Sequence, residues 1–378
     1  MSKEDVFKVS KEKTKKKDFS QVIVWVASVL IGATIGVLIV VSGLLDNMTG
    51  VGILVSLVSL AIWFMLGIVI HELGHLYFGL LTGYKFGFFK LGSLSWFKED
   101  EQLKFKRSKN FAAGQCLMFP PDNEEDFKFI LYNLGGVIFN FLTGLALLPL
   151  WILLPGDHLL NHIAFTGIAM NVLFGLTNLI PIRSQGNDGA NMVEALKSTD
   201  GKRAFYLILY VNALRMQGSR LVEIDEDLIR IYGKLDIGNF LVGNVLMYEV
   251  EYLLDMDQAK EALDICQAVE TDKYPAIHGY LYDLFQLIIY LTYLPDFEKA
   301  KAIYEQKQFQ TFLKMKLPSI TLVLVAYEFL VNNNRTKAEK LFTQAKKEAA
   351  NLPNKGERLE MFDDLDELEK MMEVGVNG

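Results

Sequence analysis

"GIVIHELGHLYFG", residues 67–79, decides how the rest of the chain is read. Two histidines and a glutamate interrupt a run otherwise fit for lipid. The run, residues 51–82, is long enough to span a bilayer, which takes about 20 apolar residues. Ionisable groups at membrane depth are expensive and mark a functional site. His71 and His75 are four residues apart, so a helix stacks them on one face. With that spacing two imidazoles reach one zinc ion, and Glu72 is placed as general base on a water the ion holds. Zinc lowers the pKa of such a water to about 7. Gly74 leaves space beside the ligands for an approaching backbone. The competing reading is a pair of buried histidines joining helices by hydrogen bonds; it leaves Glu72 buried and unpaired.

Composition frames this motif. Of the 378 residues 51% are hydrophobic, and the length allows two domains. Four apolar runs can span a membrane: about 21–45, 51–82, 128–155 and 159–181. The net charge of −7 hides a segregation, with seven lysines in the first 20 residues and the acids collected after residue 220. The first run follows that basic start as a signal peptide would. It exceeds a signal core, and no small-residue cleavage site closes it, so it reads as a retained anchor. Gly83–Lys128 carries eight Lys and Arg, whereas the connectors 46–50 and 155–158 carry none. The positive-inside rule then puts both termini in the cytoplasm. His71 lies about 30 Å along its helix from the outer end, in the cytoplasmic part. No basic stripe is interleaved with aromatics, which argues against nucleic-acid binding. Cys116 and Cys266 are far apart and form neither a metal pair nor a disulfide framework.

A catalytic zinc takes three protein ligands and keeps one position open. The candidate third ligand lies in "NLIPIRSQGNDGAN", residues 178–191, where the fourth run ends at Pro181 and Asp188-Gly189 follows on the same membrane side as the histidines. The glycine is expected to let the backbone turn tightly. Taken alone, a plain Asn-Asp-Gly turn after a membrane helix is the stronger reading.

HExxH in the second run, followed by Asn-x-x-Pro and Asp-Gly at the end of a later one, resembles the site-2 protease family of intramembrane zinc metalloproteases. The matching residues are His71, Glu72 and His75, then Asn178, Pro181, Asp188 and Gly189, and the resemblance covers about residues 50–195. It implies His71, His75 and Asp188 as zinc ligands and Glu72 as the base. The third run reads "NLGGVIFNFLTG", residues 133–144, in which Gly136 and Asn140 match the family's Gly-Pro-x-x-Asn while Val137 replaces the proline. In the family this asparagine and the one before the later proline line the active site. Asn140 and Asn178 are therefore the implied substrate-binding residues. Helix–helix packing through Gly135, Gly136 and Gly144, with the amides bonding across, is the alternative for them. Many relatives carry a PDZ domain between the motifs, but segment 83–127 is too short for a domain. The strand-rich nucleotide-sensing repeats of other relatives are replaced by helices.

The segment 83–127 is aromatic, apolar and broken by glycine in "YKFGFFKLGSLSWFK" (84–98) and "NFAAGQCLMFPP" (110–121). It reads as short strands or a re-entrant stretch at the interface. It offers either an edge for an extended substrate or an aromatic anchor around Trp96. His158 and His162 are also four apart, on the outer side, with no glutamate beside the first; they read as an interfacial polar cluster. From about residue 200 the pattern is amphipathic and helical. A weak repeat places Ala259, Ala300 and Ala338 at matching positions, 41 and 38 residues apart. Degenerate tetratricopeptide-like repeats and an ordinary helical bundle both fit.

The expected fold is all-α: a polytopic membrane helix bundle of about four spans plus a cytoplasmic helical domain. The divisions are a basic cytoplasmic N-terminus, 1–20, a membrane metalloprotease domain, 21–195, and a repeat-like domain, 200–378. The expected activity is zinc-dependent (Zn2+) hydrolysis of a peptide bond in a membrane-inserted protein or peptide near the cytoplasmic face. The C-terminal domain would bind a protein partner. The many lysines and few arginines are compatible with a bacterial cell membrane. A catalytically inactive receptor or scaffold is the alternative; the full set His71, Glu72, His75 and Asp188 argues against it. A metal-ion carrier would want further ionisable residues along the other spans, which have almost none.

Overall fold

The structure is a computed structural model, and it describes residues 50–99, 102–231, 235–352 and 354–374. The basic N-terminus and the first expected span, 21–45, lie outside the described residues. The described chain is mostly helical and divides near residue 193 into two units.

The first unit is built on three helices long and apolar enough to cross a membrane. They are α1 (Gly50–Leu81), α2 (Phe129–Leu153) and α3 (Leu159–Leu179), and each packs against the other two. The second, third and fourth expected spans fall on these helices. Their packing is inverted relative to a water-soluble bundle. On α1 the buried set includes Gly52, Ser59, Gly67, His71, Glu72, Gly74, His75 and Gly79. Leu54, Leu57, Val58, Ile62 and Met65 are exposed. Lipid tails are as apolar as leucine, so helices in a bilayer associate through small residues and polar bonds instead. Hydrogen bonds of this kind join α1 and α3, Ser59 Oγ to Thr166 Oγ1 at 2.7 Å and Trp63 Nε1 donating to the Ile163 carbonyl at 3.0 Å. His162, part of the outer histidine pair, is buried with its Nδ1 3.4 Å from Ser56 Oγ, and His158 caps the start of α3.

The crossing of α1 and α2 fixes where the site can form. Gly74 and Gly135 meet backbone to backbone: a methyl on Gly135 would lie 2.5 Å from the Gly74 carbonyl oxygen, and one on Gly74 would overlap the Gly135 carbonyl. Next to them, a methyl on Gly136 would lie 2.5 Å from the His71 ring.

The all-helical expectation fails in one place. Segment 83–127 holds two paired strands, β1 (Lys85–Glu99) and β2 (Gln102–Phe119), which are far longer than the short strands expected from the sequence. Only two positions separate them, too few for a parallel crossover, so they form an antiparallel hairpin. Aromatic residues with period-two burial favour strands over a helix here. Phe88, Ser95, Phe97, Cys116 and Met118 are buried, while Leu94, Leu103 and Phe105 are exposed.

The second unit follows α4 (Asp188–Lys197), which begins in the first. It comprises α5 (Thr199–Gln217), the single turn α6 (Glu226–Ile229), α7 (Phe240–Asp255), α8 (Ala259–Ala268) and α9 (Ala276–Ile288), the last continued by a π-helical turn at Ile289–Tyr293. Then come α10 (Phe297–Tyr304), α11 (Lys307–Phe312), α12 (Pro318–Leu330), α13 (Arg335–Ala349) and α14 (Lys355–Val374). Neighbours pair as α7 with α8, α9 with α10 and α12 with α13. The repeated alanines, Ala259, Ala300 and Ala338, are each buried on the second helix of a pair.

Overpacking a tight contact costs about 1–3 kcal/mol. Gly74→Ala should therefore lower the melting temperature of the purified chain by roughly 2–12 °C. Gly50→Ala, where nothing lies within 4 Å, should leave it unchanged. Equal melting of both variants would show that α1 and α2 do not meet at Gly74.

Candidate metal centre

His71 and His75 lie one turn apart on the buried side of α1, and Asp188 is the first residue of α4. Their reactive atoms converge. His71 Nε2 is 2.9 Å and His75 Nε2 3.2 Å from Asp188 Oδ2, and the two Nε2 atoms are 3.1 Å apart. Among the described residues this is the one group of three or more His, Cys, Asp or Glu placed to hold a metal ion.

The surrounding hydrogen bonds decide which ring nitrogens carry protons. His75 Nδ1 is 2.8 Å from the Tyr132 carbonyl oxygen, which only accepts, so Nδ1–H donates. His71 Nδ1 is 2.8 Å from Asn140 Oδ1. The Asn140 amide is oriented by its other end, where Nδ2 donates to the Gly67 carbonyl at 3.0 Å. Its oxygen must therefore face His71, and His71 Nδ1–H donates too. A neutral imidazole protonated at Nδ1 has its lone pair at Nε2. Asp188 Oδ2 faces both Nε2 atoms, at 2.9 and 3.2 Å. Two lone pairs and a carboxylate oxygen thus point into one space.

That donor set tests the fit to a metal. A single proton bridges two of the three atoms and leaves the third facing a lone pair. A divalent cation satisfies all three. Ligand atoms about 2.0–2.1 Å from a tetrahedral zinc stand about 3.3 Å from one another, close to the spacing seen here. The residues fit zinc held by two histidine nitrogens and one carboxylate. Each imidazole also donates the N–H of its other ring nitrogen, Nδ1, to an oxygen, which is how metal-bound histidines are oriented.

The placement of Asp188 has a local cause that differs from the one expected. Gly189 is not in a left-handed conformation; the left-handed residue of this loop is Gly186, at φ 62°. Gly189 instead permits close approach, since a methyl there would lie 2.9 Å from the Asn178 carbonyl oxygen and overlap that of Leu179. Asn187 caps α4, its Oδ1 accepting from Ala190 N at 3.1 Å and from Ile182 N at 3.0 Å. Its Nδ2 donates to the Thr177 and Ile180 carbonyls at 2.6 and 2.7 Å, tying the loop to the end of α3. Asp188 then occupies the first helical position, where the helix dipole favours an anion.

Glu72 is buried beside the histidines, and β2 covers it. The Cys116 backbone N–H donates to its carboxylate, and a methyl on Gly114 would lie 2.8 Å from its Oε1. The Cys116 carbonyl accepts from the Tyr132 hydroxyl at 3.0 Å, so strand, helix α2 and Glu72 are held together. Asn140, implied by the resemblance to line the site, is fully buried and bonded to His71. Asn178, implied likewise, donates its amide to the Phe174 carbonyl one turn back in α3, at 3.0 Å.

Tyr132, Gly114 and Asn187 take part and were not anticipated. Asn187 had a readable signal, an asparagine immediately before a helix start. Tyr132 contributes a backbone carbonyl, which has no signature in sequence. No family model, curated protein or solved structure matches the chain.

The geometry predicts about one divalent ion per chain. Metal analysis of the purified protein should find it, and His75→Ala or Asp188→Ala should lower occupancy at least tenfold. Stoichiometric metal in both variants would place the ion elsewhere.

Proposed function

We propose that this chain is an intramembrane zinc metalloprotease that hydrolyses a peptide bond in a membrane-inserted protein or peptide near the cytoplasmic face. The observation that carries the reading is the convergence of His71 Nε2, His75 Nε2 and Asp188 Oδ2 within 3.2 Å, with Glu72 adjoining them. The resemblance of these residues to the site-2 protease pattern supports it, with one departure. Val137 stands where the pattern has proline, and α2 continues through it as a buried helical position.

Bound at the three donors, zinc would supply a Lewis acid that polarises the scissile carbonyl and acidifies water. The chain's own groups do the rest. His71 and His75 are held with their lone pairs inward by Asn140 and Tyr132. The Glu72 carboxylate accepts a proton from the attacking water as its oxygen bonds to the carbonyl carbon. It delivers that proton to the amide nitrogen as the C–N bond breaks. The Cys116 N–H keeps this carboxylate oriented, and β2 shields it from bulk solvent.

The distribution of Lys and Arg supports a four-span arrangement that adds 21–45 to α1, α2 and α3, with both termini in the cytoplasm. The site then opens to that side, at the inner end of α1. The helix pairs of the second unit, with their buried alanines, support tetratricopeptide-like repeats that recruit a protein partner or substrate. The membrane is proposed as a bacterial cell membrane.

Glu72→Gln keeps the shape and cannot take the proton. In a reconstituted assay with a membrane-inserted reporter peptide it should retain metal at the wild-type level and lose about 10²–10⁴ of the hydrolysis rate. Wild-type turnover by this variant would remove Glu72 as the base. Hydrolysis that survives metal chelation would remove zinc from the reaction.

A further inference from the structure

The hydrogen bonds that orient His71 do not end at Asn140. Asn140 Nδ2 also donates to Asn171 Oδ1 at 3.0 Å, and Asn171 Nδ2 donates to the Gly167 carbonyl at 2.9 Å. Asn140 and Asn171 both have zero exposure, each inside a helix apolar enough to span a membrane. An amide buried in such a place persists only with its donors and acceptors used. Here the polar atoms of both amides are engaged. The Gly167 carbonyl accepts from Asn171 Nδ2. Asn171 Oδ1 accepts from Asn140 Nδ2, and Asn140 Oδ1 accepts from His71 Nδ1–H.

The chain of bonds has one permitted direction. Gly167 O and Gly67 O are carbonyls, so neither can donate. Reversing the Asn140 amide would set its oxygen against both the Gly67 carbonyl and Asn171 Oδ1. Reversing Asn171 would set its oxygen against the Gly167 carbonyl. The two backbone carbonyls therefore propagate a proton arrangement across α3, α2 and α1, and it terminates in a lone pair on His71 Nε2.

We propose that Asn171 is a positioning residue for the metal centre: through Asn140 it locks His71 in the Nδ1–H form and so keeps Nε2 available as a ligand. The inference rests on reading His71 as a metal ligand. It assigns Asn171 a role distinct from packing, because the property transmitted is the position of a proton. Partners beyond the ligands themselves typically alter metal affinity by about 10–100-fold. Asn171 acts through one intermediary, and the Gly67 carbonyl shares the task, so the lower end of that range is expected.

The test compares Asn171→Leu, which removes the acceptor while keeping the same number of side-chain heavy atoms, with Asn171→Asp, which in its buried, protonated form donates to the Gly167 carbonyl and keeps an oxygen facing Asn140. Zinc affinity of the full chain is measured by competition with a chromophoric chelator. The His71 tautomer is read from the ring-nitrogen resonances of the metal-free chain labelled with 15N-histidine. The chain holds five histidines, and the His71 signals are those lost in His71→Gln. The expected result is a roughly tenfold weaker zinc affinity for Asn171→Leu, with an Nε2–H form of His71 appearing. Asn171→Asp should stay within about threefold of wild type and keep Nδ1–H. Should Asn171→Leu fail to fold, Asn171→Ser, whose hydroxyl is too short to span the gap, is read in the same way. Wild-type affinity and an unchanged His71 tautomer in the variant lacking the acceptor would overturn the proposal. If the wild-type chain binds no zinc, the metal reading fails by itself. The tautomer comparison then still decides whether Asn171 sets the proton on His71.

Discussion

Two imidazole lone pairs and one carboxylate oxygen face each other inside a helical bundle, and no protonated nitrogen lies between all three. This constraint governs the first unit. A proton can bridge only two of these atoms at a time, whereas a divalent cation would satisfy all three. The chain maintains it by committing the outer nitrogen of each ring. Tyr132 takes one proton through its backbone carbonyl, and Asn140 takes the other through its side chain. The three donors are thus pre-oriented, and that preparation is distributed over α1, α2, α3 and the start of α4.

The fold supplies what that preparation needs. Imidazole, carboxylate and amide groups must approach within 3.2 Å across four helices, which bulky side chains at the crossings would prevent. Gly74, Gly135 and Gly136 remove them, and the buried surface of α1 is consequently small and polar while its exposed surface is leucine, valine and isoleucine. Water, the co-substrate of the proposed reaction, is scarce in such surroundings. A hairpin that orients Glu72 through the Cys116 amide leaves the carboxylate one defined direction in which to act. Asp188 is held by a helix start whose cap and close packing on α3 keep it over the histidines.

Much of this was legible in the sequence, for identifiable reasons. The pair His71 and His75 is a local helical relation, and an apolar run of that length has few alternatives to a helix. Asp188 is different: 113 residues separate it from His75, and only a pattern shared with a known family pointed to it. The helical character and the matching alanines of the second unit followed from periodicity and small-residue spacing. Asn140 and Asn178 were expected to face substrate. Bonding joins the first to His71 and the second to its own helix, relations that depend on how far each helix is rotated. Rotation is settled by the glycine contacts, which no local pattern encodes. The hairpin emerged longer than its aromatic pattern suggested, because pairing extends through polar residues such as Gln102 and Lys104 whose own preference for strand is weak. The backbone groups that finish the site, at Tyr132 and Cys116, carry no side-chain signature at all.

X-ray absorption at the zinc edge of the metal-loaded chain tests the central claim most directly. The expected result is a coordination shell of nitrogen and oxygen at about 2.0–2.1 Å, with the outer-shell scattering of two imidazoles and no sulfur. A sulfur distance near 2.3 Å, or a shell lacking imidazole scattering, would contradict it, because the ion would then lie away from His71, His75 and Asp188.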